Sequence, residues 1–517
     1  MRIPLLLVAT AALAIAGCNH STSSSSTAST AQPADPGSKV SDKDLERQIL
    51  AALDDAPKNG LTKDLFLKGN LPSSGPERRQ MLLQAAQQYA SALANGKVDP
   101  TKIRDVYTIP RPKVDVTLGL QQALQQNKLT GWLASLPPQT AEYKALSSSF
   151  VQLVQRSPGL PDQGIPGGSK TIHPGDSDPR IPAIVANLTA QGYLKARPQA
   201  AQPQGATQQA FAAGNRDTKK TRRSRVAGKS ASAPAGTRYT PEVAAAVKQW
   251  QSDSGVKPDG VIGPDTVNAL NNSVRDRART LAVAMERLRW LDHNPPLTRI
   301  DVNTAASSLD YFRDGQDVDR RRVVNGEPGR ETPQIQAPIF QLVANPTWTV
   351  PHSIDDEMAS KSGSWLAANG FTQKNGQWVQ ASGPKNSLGI VKFDMKDDQA
   401  IYLHDTPAKS LFGLDDRHRS HGCVRVEDAM SFAHEIAQAD GIDDKFSAAM
   451  ATGKETFVPL NHKIPVRLMY HTAYLGDDGR VHFAADAYGW DDDVATALGY
   501  ANQARPAQQS QGGDIGP

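Results

Sequence analysis

Cys423 is one of two cysteines in 517 residues, and its neighbours are those a nucleophilic thiol requires. The segment reads Ser420-His421-Gly422-Cys423-Val424-Arg425. A thiol attacks as the thiolate, so it needs a base and electropositive surroundings. His404, nineteen residues upstream, His421 and Arg425 are placed to provide them. Gly422 lets the backbone turn sharply and present N–H groups to a developing oxyanion. Glu427-Asp428 then open a helical pattern through Met430, Phe432, Ala433 and Ile436, which puts Cys423 just ahead of a helix N-terminus, where the dipole would lower a thiol pKa further. This is the equipment of covalent acyl transfer. A metal site, the competing use of two histidines and a cysteine, lacks a fourth ligand at short spacing, because Asp405 follows His404 on a strand and points to the opposite face. No metal and no organic cofactor is expected. His352, His418, His434, His462, His471 and His482 have no such partners and read as surface or core residues.

The elements that must position this set change character along the chain. Residues 41–160 carry helical periodicity (Leu45, Ile49, Leu53; Met81, Leu82, Ala85, Tyr89, Leu93; Val116 to Leu124; Tyr143 to Val154) and no catalytic cluster, so a helical scaffold domain is expected. Residues 180–272 read as three short helices, interrupted by an Ala/Gln-rich, then basic, tract at 197–238. A connecting helix over 273–297 has Leu281, Met285, Leu288 and Leu291 on one side and an Arg-rich other side. Beyond Arg299 the period becomes two: Ile300, Val302; Val318, Val323; Ile339, Leu342, Val343; Ile390, Val391, Phe393; and Ile401, Leu403 predict short strands, with turns at Asp314-Gly315 and Asn325-Gly326. A polar Gly/Ser-containing stretch at about 352–390 predicts a lid, and 491–517 a flexible tail. The expected fold is multidomain α+β, with a mainly β domain at 298–490 holding the chemistry.

Five segments resemble parts of two known families. Asp259-Gly260…Gly263…Thr266 resembles the loop of the three-helix peptidoglycan-binding module. Tyr402-Leu403-His404-Asp405-Thr406-Pro407 followed by Ser420-His421-Gly422-Cys423-Val424-Arg425 resembles the signature of the L,D-transpeptidase (YkuD) family. Asn345-Pro346-Thr347-Trp348-Thr349-Val350-Pro351 and Asn386-Ser387-Leu388-Gly389 resemble segments of its large periplasmic branch. The resemblance implies that Cys423 attacks a peptidoglycan tetrapeptide stem beside its terminal D-alanine. His404 acts as base, His421 and Gly422 shape the site, and an amine of a neighbouring stem resolves the thioester into a 3→3 cross-link. It implies substrate contacts for Ser420, Arg425 and Trp348, with Arg425 alternatively positioning the loop and Trp348 alternatively packing beneath the site. Two alternatives within the fold are hydrolysis and anchoring of a protein to the wall; a non-catalytic wall-binding lipoprotein is the alternative outside it.

The N-terminus bears on location. Residues 1–18 read as an export signal ending in Ile15-Ala16-Gly17-Cys18, which resembles a bacterial lipobox with Cys18 as the lipidated residue. Residues 19–40 form a Ser/Thr/Ala/Pro tether, and the expected place is the periplasm, at the outer membrane. With Cys18 lipidated, no internal disulfide is possible. The net charge of +4 is local: Arg216 to Arg238 holds eight basic residues and one acidic. Without interleaved aromatics that tract does not read as a nucleic-acid site, and no nucleic-acid partner is expected.

Overall fold

The computed structural model describes residues 41–156, 165–166, 170–195, 236–254, 256–271 and 274–500. The expected signal peptide, Cys18, the tether and nearly all of the basic tract lie outside these residues. No described helix is long and apolar enough to cross a membrane.

The apolar steps of the first 116 described residues become α1 (Asp42–Asp54), α2 (Pro76–Asn95), α3 (Val116–Gln125), α4 (Leu129–Ser135) and α5 (Ala141–Arg156). Ser41 and Asp115 cap the helices they precede, accepting from Asp44 N and from Thr117 and Leu118 N. A second helical group, α6 (Ile181–Ala190), α7 (Pro241–Asp253) and α8 (Pro264–Asn271), closes on its own core of Ile181, Ile184, Leu188, Val247, Trp250 and Leu270. Its glycine loop is tied by Gln251, which accepts from Gly260 N at 2.8 Å and donates to Val261 O at 2.9 Å.

Helix α9 (Val274–Arg289) is more than a connector. Leu281, Ala282, Val283, Ala284 and Met285 are all fully buried, in one core with α1–α5. The Arg-rich side, expected to be the polar one, is buried too. Arg289 pairs with Glu286 at 2.6 Å and Arg287 with Asp491 at 2.6 Å, every one of these side chains at most 2% exposed. Periodicity misses this, because it registers charge but not the partner that lets charge be buried.

The β domain contains β1 (Arg299–Asn303), β2 (Ser308–Arg313), β3 (Gln316–Gly326), β4 (Gln336–Ala344), β5 (Trp348–Thr349), α10 (Asp355–Ala359), α11 (Gly363–Ala368), β6 (Phe371–Lys374), β7 (Gln377–Gln380), β8 (Val391–Met395), β9 (Leu403–His404), β10 (His418–Ser420), β11 (Val424–Val426), α12 (Ala429–Ala439), α13 (Asp443–Ala451), β12 (Thr456–Met469), β13 (Ala473–Leu475), β14 (Val481–Phe483) and α14 (Asp491–Ala497). Nine strands run in the order β10-β3-β11-β9-β8-β4-β12-β1-β2. The long β3 pairs with β2 through its first part and with β11 and β10 through its second, so the sheet curls back on itself. Phe432 of α12 fills the interior, 5.4 Å from Phe393 and 5.7 Å from Tyr311.

Three expectations need correction. Asp314-Gly315 is a turn, with positive φ at both residues, but Asn325-Gly326 is the end of β3; glycine is needed there because a Cβ would sit 2.1 Å from Arg330 O. The stretch read as a loop-like lid is a small folded unit: β5, β7 and β6 form their own sheet around Trp348, Val350, Met358, Leu366 and Phe371. The tail does not begin at 491, since α14 places Val494, Ala495 and Leu498 in the core shared with α9.

Candidate active site

Strand register assembles the set. β9 and β11 run parallel, with Val424 opposite Leu403 and Arg425 opposite His404. Val424 and Leu403 point into the hydrophobic interior. By alternation His404 and Arg425 share the other face. Cys423, just before β11, contributes to the hydrophobic interior, and the Tyr402 hydroxyl hydrogen-bonds its thiol. The Val424 N–H donates to Tyr402 O at 3.1 Å, which fixes this alignment.

His404 is fully buried. Its Nδ1 lies 2.5 Å from the Asp405 carbonyl oxygen. A carbonyl only accepts, so Nδ1 carries the proton and Nε2 the basic lone pair. The ring stands edge-on to Tyr402 at 5.7 Å. The Asp405 carboxylate faces away, as expected, accepting from Ile390 N at 3.1 Å and pairing with Lys409. Gly389, at φ +64°, makes room for it: a Cβ there would lie 2.3 Å from Asp405 Oδ2.

Cys423 is 6% exposed, with Sγ 3.8 Å from Ala400 O. Burial pushes its pKa up to about 11, against the opposing effect of hydrogen bonding from Tyr402. This overturns the expected dipole effect. β11 intervenes, Asp428 adopts φ +46°, and α12 starts at Ala429, six residues past the thiol. A helix dipole fades within its first turn. The helix starts close to where it was expected, at Ala429 instead of Glu427; what fails is the assumption that its dipole reaches a thiol six residues away.

The loop before Cys423 is tightly tied. Ser420 is fully buried; its Oγ donates to Cys423 O at 2.6 Å and accepts from Gly422 N at 3.2 Å. Ser420 is therefore a loop staple and not the expected substrate contact. The Gly422 N–H is engaged by it. Gly422 has φ +118° with nothing nearer than 3.7 Å to an added Cβ, so conformation and not space demands glycine. Thr332 Oγ1 donates to Gly422 O at 2.8 Å and accepts from Gly326 N at 2.9 Å.

His421 leaves the thiol's face and meets the lid, its Nε2 3.0 and 3.2 Å from the two oxygens of Glu357 in α10. Arg330 reaches the same carboxylate at 2.5 Å. Burial would raise the Glu357 pKa, but His421 and Arg330 outweigh it and hold the carboxyl below its ordinary range. Arg425 is 1% exposed, inside the sheet between Val324 and His404. Trp348 is 1% exposed and edge-on to Phe371, so it packs the lid rather than offering a platform. His418 is held at both nitrogens, by Asp416 and by Thr304 O, each at 2.9 Å. His352, His434, His462 and His482 each face an aspartate.

Tyr402, Glu357, Arg330 and Thr332 were not singled out as site residues by sequence. Tyr402 lies inside the recognised strand motif and was within reach, two residues before His404 on the same pleat. Glu357, in the run Asp355-Asp356-Glu357, carries no local signal.

Residues 297–445 match the family model described as the L,D-transpeptidase catalytic domain, named YkuD. Residues 40–149 match a scaffold domain, and 226–270 a "putative peptidoglycan binding domain". A Haemophilus influenzae protein described as a "putative L,D-transpeptidase" is 30% identical over 244 residues, covering 42% of this chain and 49% of that protein. The match thus spans about half the length of that relative. Among solved structures, the catalytic domain of an Enterococcus faecium L,D-transpeptidase acylated by ertapenem is 15% identical, covering 34% of this chain and 99% of that one at a TM-score of 0.21. An L,D-transpeptidase from Mycobacterium smegmatis is 12% identical, covering 34% and 58% at 0.20. Residues 297–445 are thus similar to L,D-transpeptidase catalytic domains, and the two regions before them to a scaffold domain and a putative peptidoglycan binding domain.

Proposed function

We propose that the protein forms 3→3 peptidoglycan cross-links through a thioester on Cys423. His404 Nε2 takes the thiol proton, and Sγ attacks the carbonyl between the third residue of a tetrapeptide stem and its terminal D-alanine. The Cys423 N–H holds the oxyanion. Collapse breaks the peptide bond, D-alanine leaves with the proton from His404, and the tripeptide remains as a thioester. The side-chain amine of a diamino acid on a second stem, deprotonated by His404, then displaces Sγ. The observation that carries this reading is Tyr402 standing between Cys423 and His404, hydrogen-bonded to the thiol and edge-on to the ring, with the His404 tautomer fixed by the Asp405 carbonyl. A lid that excludes water favours the amine over hydrolysis.

The test is intact mass of the protein mixed with disaccharide-tetrapeptide, beside Cys423→Ala and His404→Ala. A thioester adduct on the parent, none on Cys423→Ala, a rate about 10²–10⁴-fold lower in His404→Ala, and accumulating cross-linked dimer are expected. An adduct that resolves only to tripeptide would make the enzyme a hydrolase. No adduct from folded protein would leave only wall binding. The same reading places the enzyme in the periplasm, held to the outer membrane by lipid on Cys18; Cys18→Ser protein should fractionate as soluble, and retention in the membrane fraction would refute the anchor.

A further inference from the structure

Strand alternation that sends Ile300, Val302, Leu309, Tyr311, Val466 and Leu468 into the core sends a polar row outward. Asp301 and Asn303 of β1, Ser308 and Asp310 of β2, and Arg467 of β12 form that row, which His471 extends just past β12. Such a face is ordinarily open to water. Here α5, α9 and the loop following α9 overhang it, leaving a half-open cleft of about 580 Å³ whose lining includes none of Cys423, His404 or Tyr402. That is room for a ligand of one or two amino acids.

Its charges do not balance. The lining holds six carboxylates, among them Glu142, Asp301 and Asp310, against three guanidiniums. The guanidiniums are committed: Arg299 and Arg467 to Asp301, and Arg320 to Asp310 and Asp477. Glu142 has no cation within ion-pairing distance among the described residues and receives only the Leu475 N–H, at 3.4 Å. Burial pushes its carboxyl up to about 7. Three imidazoles also line the space, and of these His482 is already held by Asp478 at 2.9 Å. His471 is 5% exposed, and no described residue hydrogen-bonds its Nδ1; the same holds for His293 Nε2. Burial lowers the pKa of both, which disfavours the charged ring. The cleft thus presents a carboxyl with no ion-pair partner among the described residues and two buried ring nitrogens that no described residue hydrogen-bonds; an ammonium would hold the carboxyl ionised and donate to a ring nitrogen in its unprotonated tautomer.

We infer that this cleft is a second, non-catalytic binding site for a ligand bearing a primary ammonium group, the size of a single amino-acid residue or a dipeptide. Its ammonium pairs with Glu142 and donates to a cleft imidazole, while Leu288, Leu291 and Phe312 take its apolar stem. The position, between scaffold and catalytic domain, makes occupancy a property of the two together.

The probe is N-acetyl-lysinamide, titrated calorimetrically into the full chain and its Cys423→Ala variant, with N-acetyl-norleucinamide as the amine-free control. Equal binding to both proteins, at least about tenfold weaker binding to Glu142→Gln, and none of the control are expected. Ring-nitrogen NMR signals of His471 and His293, assigned with His293→Gln, should shift on saturation, which keeps the test decisive if Glu142→Gln fails to fold. No binding at 10 mM, equal affinity in folded Glu142→Gln, loss of binding in Cys423→Ala, or saturation by magnesium chloride without any amide binding would each overturn the assignment.

Discussion

A buried thiol is a poor nucleophile until something takes its proton, and Cys423 is buried deeply enough that burial dominates its titration. Its pKa lies above that of a free thiol, so the closed site favours the neutral form. The sign follows: a site that opens releases its proton more readily than a closed one, so closure weakens as pH rises through about 9 toward 11. Iodoacetamide should therefore alkylate Cys423 more slowly than a model thiol at pH 8, with the rate still climbing near pH 10. A rate that levels off by pH 8 would show a thiolate already formed and contradict this. The residue types of the site were legible because the motif is contiguous and each type has a chemical reason. The thiol's environment was not. It depends on β11 standing between the thiol and the helix, and on a lid whose contact residue, Glu357, sits sixty-four positions before its partner His421.

Lid and loop touch through one carboxylate. Glu357 takes His421 and Arg330, and both belong to segments that approach Gly422: His421 directly, and Arg330 through its carbonyl, 3.8 Å from where a Gly422 Cβ would lie. Because its carboxyl is held below the ordinary range, the contact contributes to closure above the unperturbed pKa of 4.5 and is lost as pH falls through the lower, closed-state value. Glu357→Gln keeps the shape and removes the charge. Alkylation of Cys423 at pH 8 should then be several-fold faster, with the thermal midpoint changed little because the pair is partly exposed. An unchanged rate would mean that the lid is held by its apolar contacts with Tyr402 alone. Strand periodicity was readable at this scale, whereas the lid's hairpin at Asn375-Gly376 was lost in a stretch that looked merely polar. Short strands of four residues offer too few alternations to register.

At the scale of the molecule, the boundary between scaffold and catalytic domain is drawn by sequence families but not by the core. Helix α9 lies before the catalytic sequence match yet packs against the scaffold on one side, and against α14, from the far end of the chain, on another. Its Arg287 is balanced by Asp491, and removing one member of a buried pair costs about 3–5 kcal/mol. A fragment of 298–500 would strand Asp491 without its cation and expose Val494, Ala495 and Leu498. It should be insoluble or lack near-ultraviolet dichroism. Extending it to 274 restores the pair but exposes the scaffold-facing side of α9, including Glu286 and Arg289, and should help little. Only 41–156 together with 274–500 encloses the shared core, and that combination should melt cooperatively even with 157–273 replaced by a short linker, because the intervening helices have a core of their own. A cooperative melt from 298–500 alone would show that the catalytic sheet stands without α9, and that the two domains meet across a surface instead of sharing an interior.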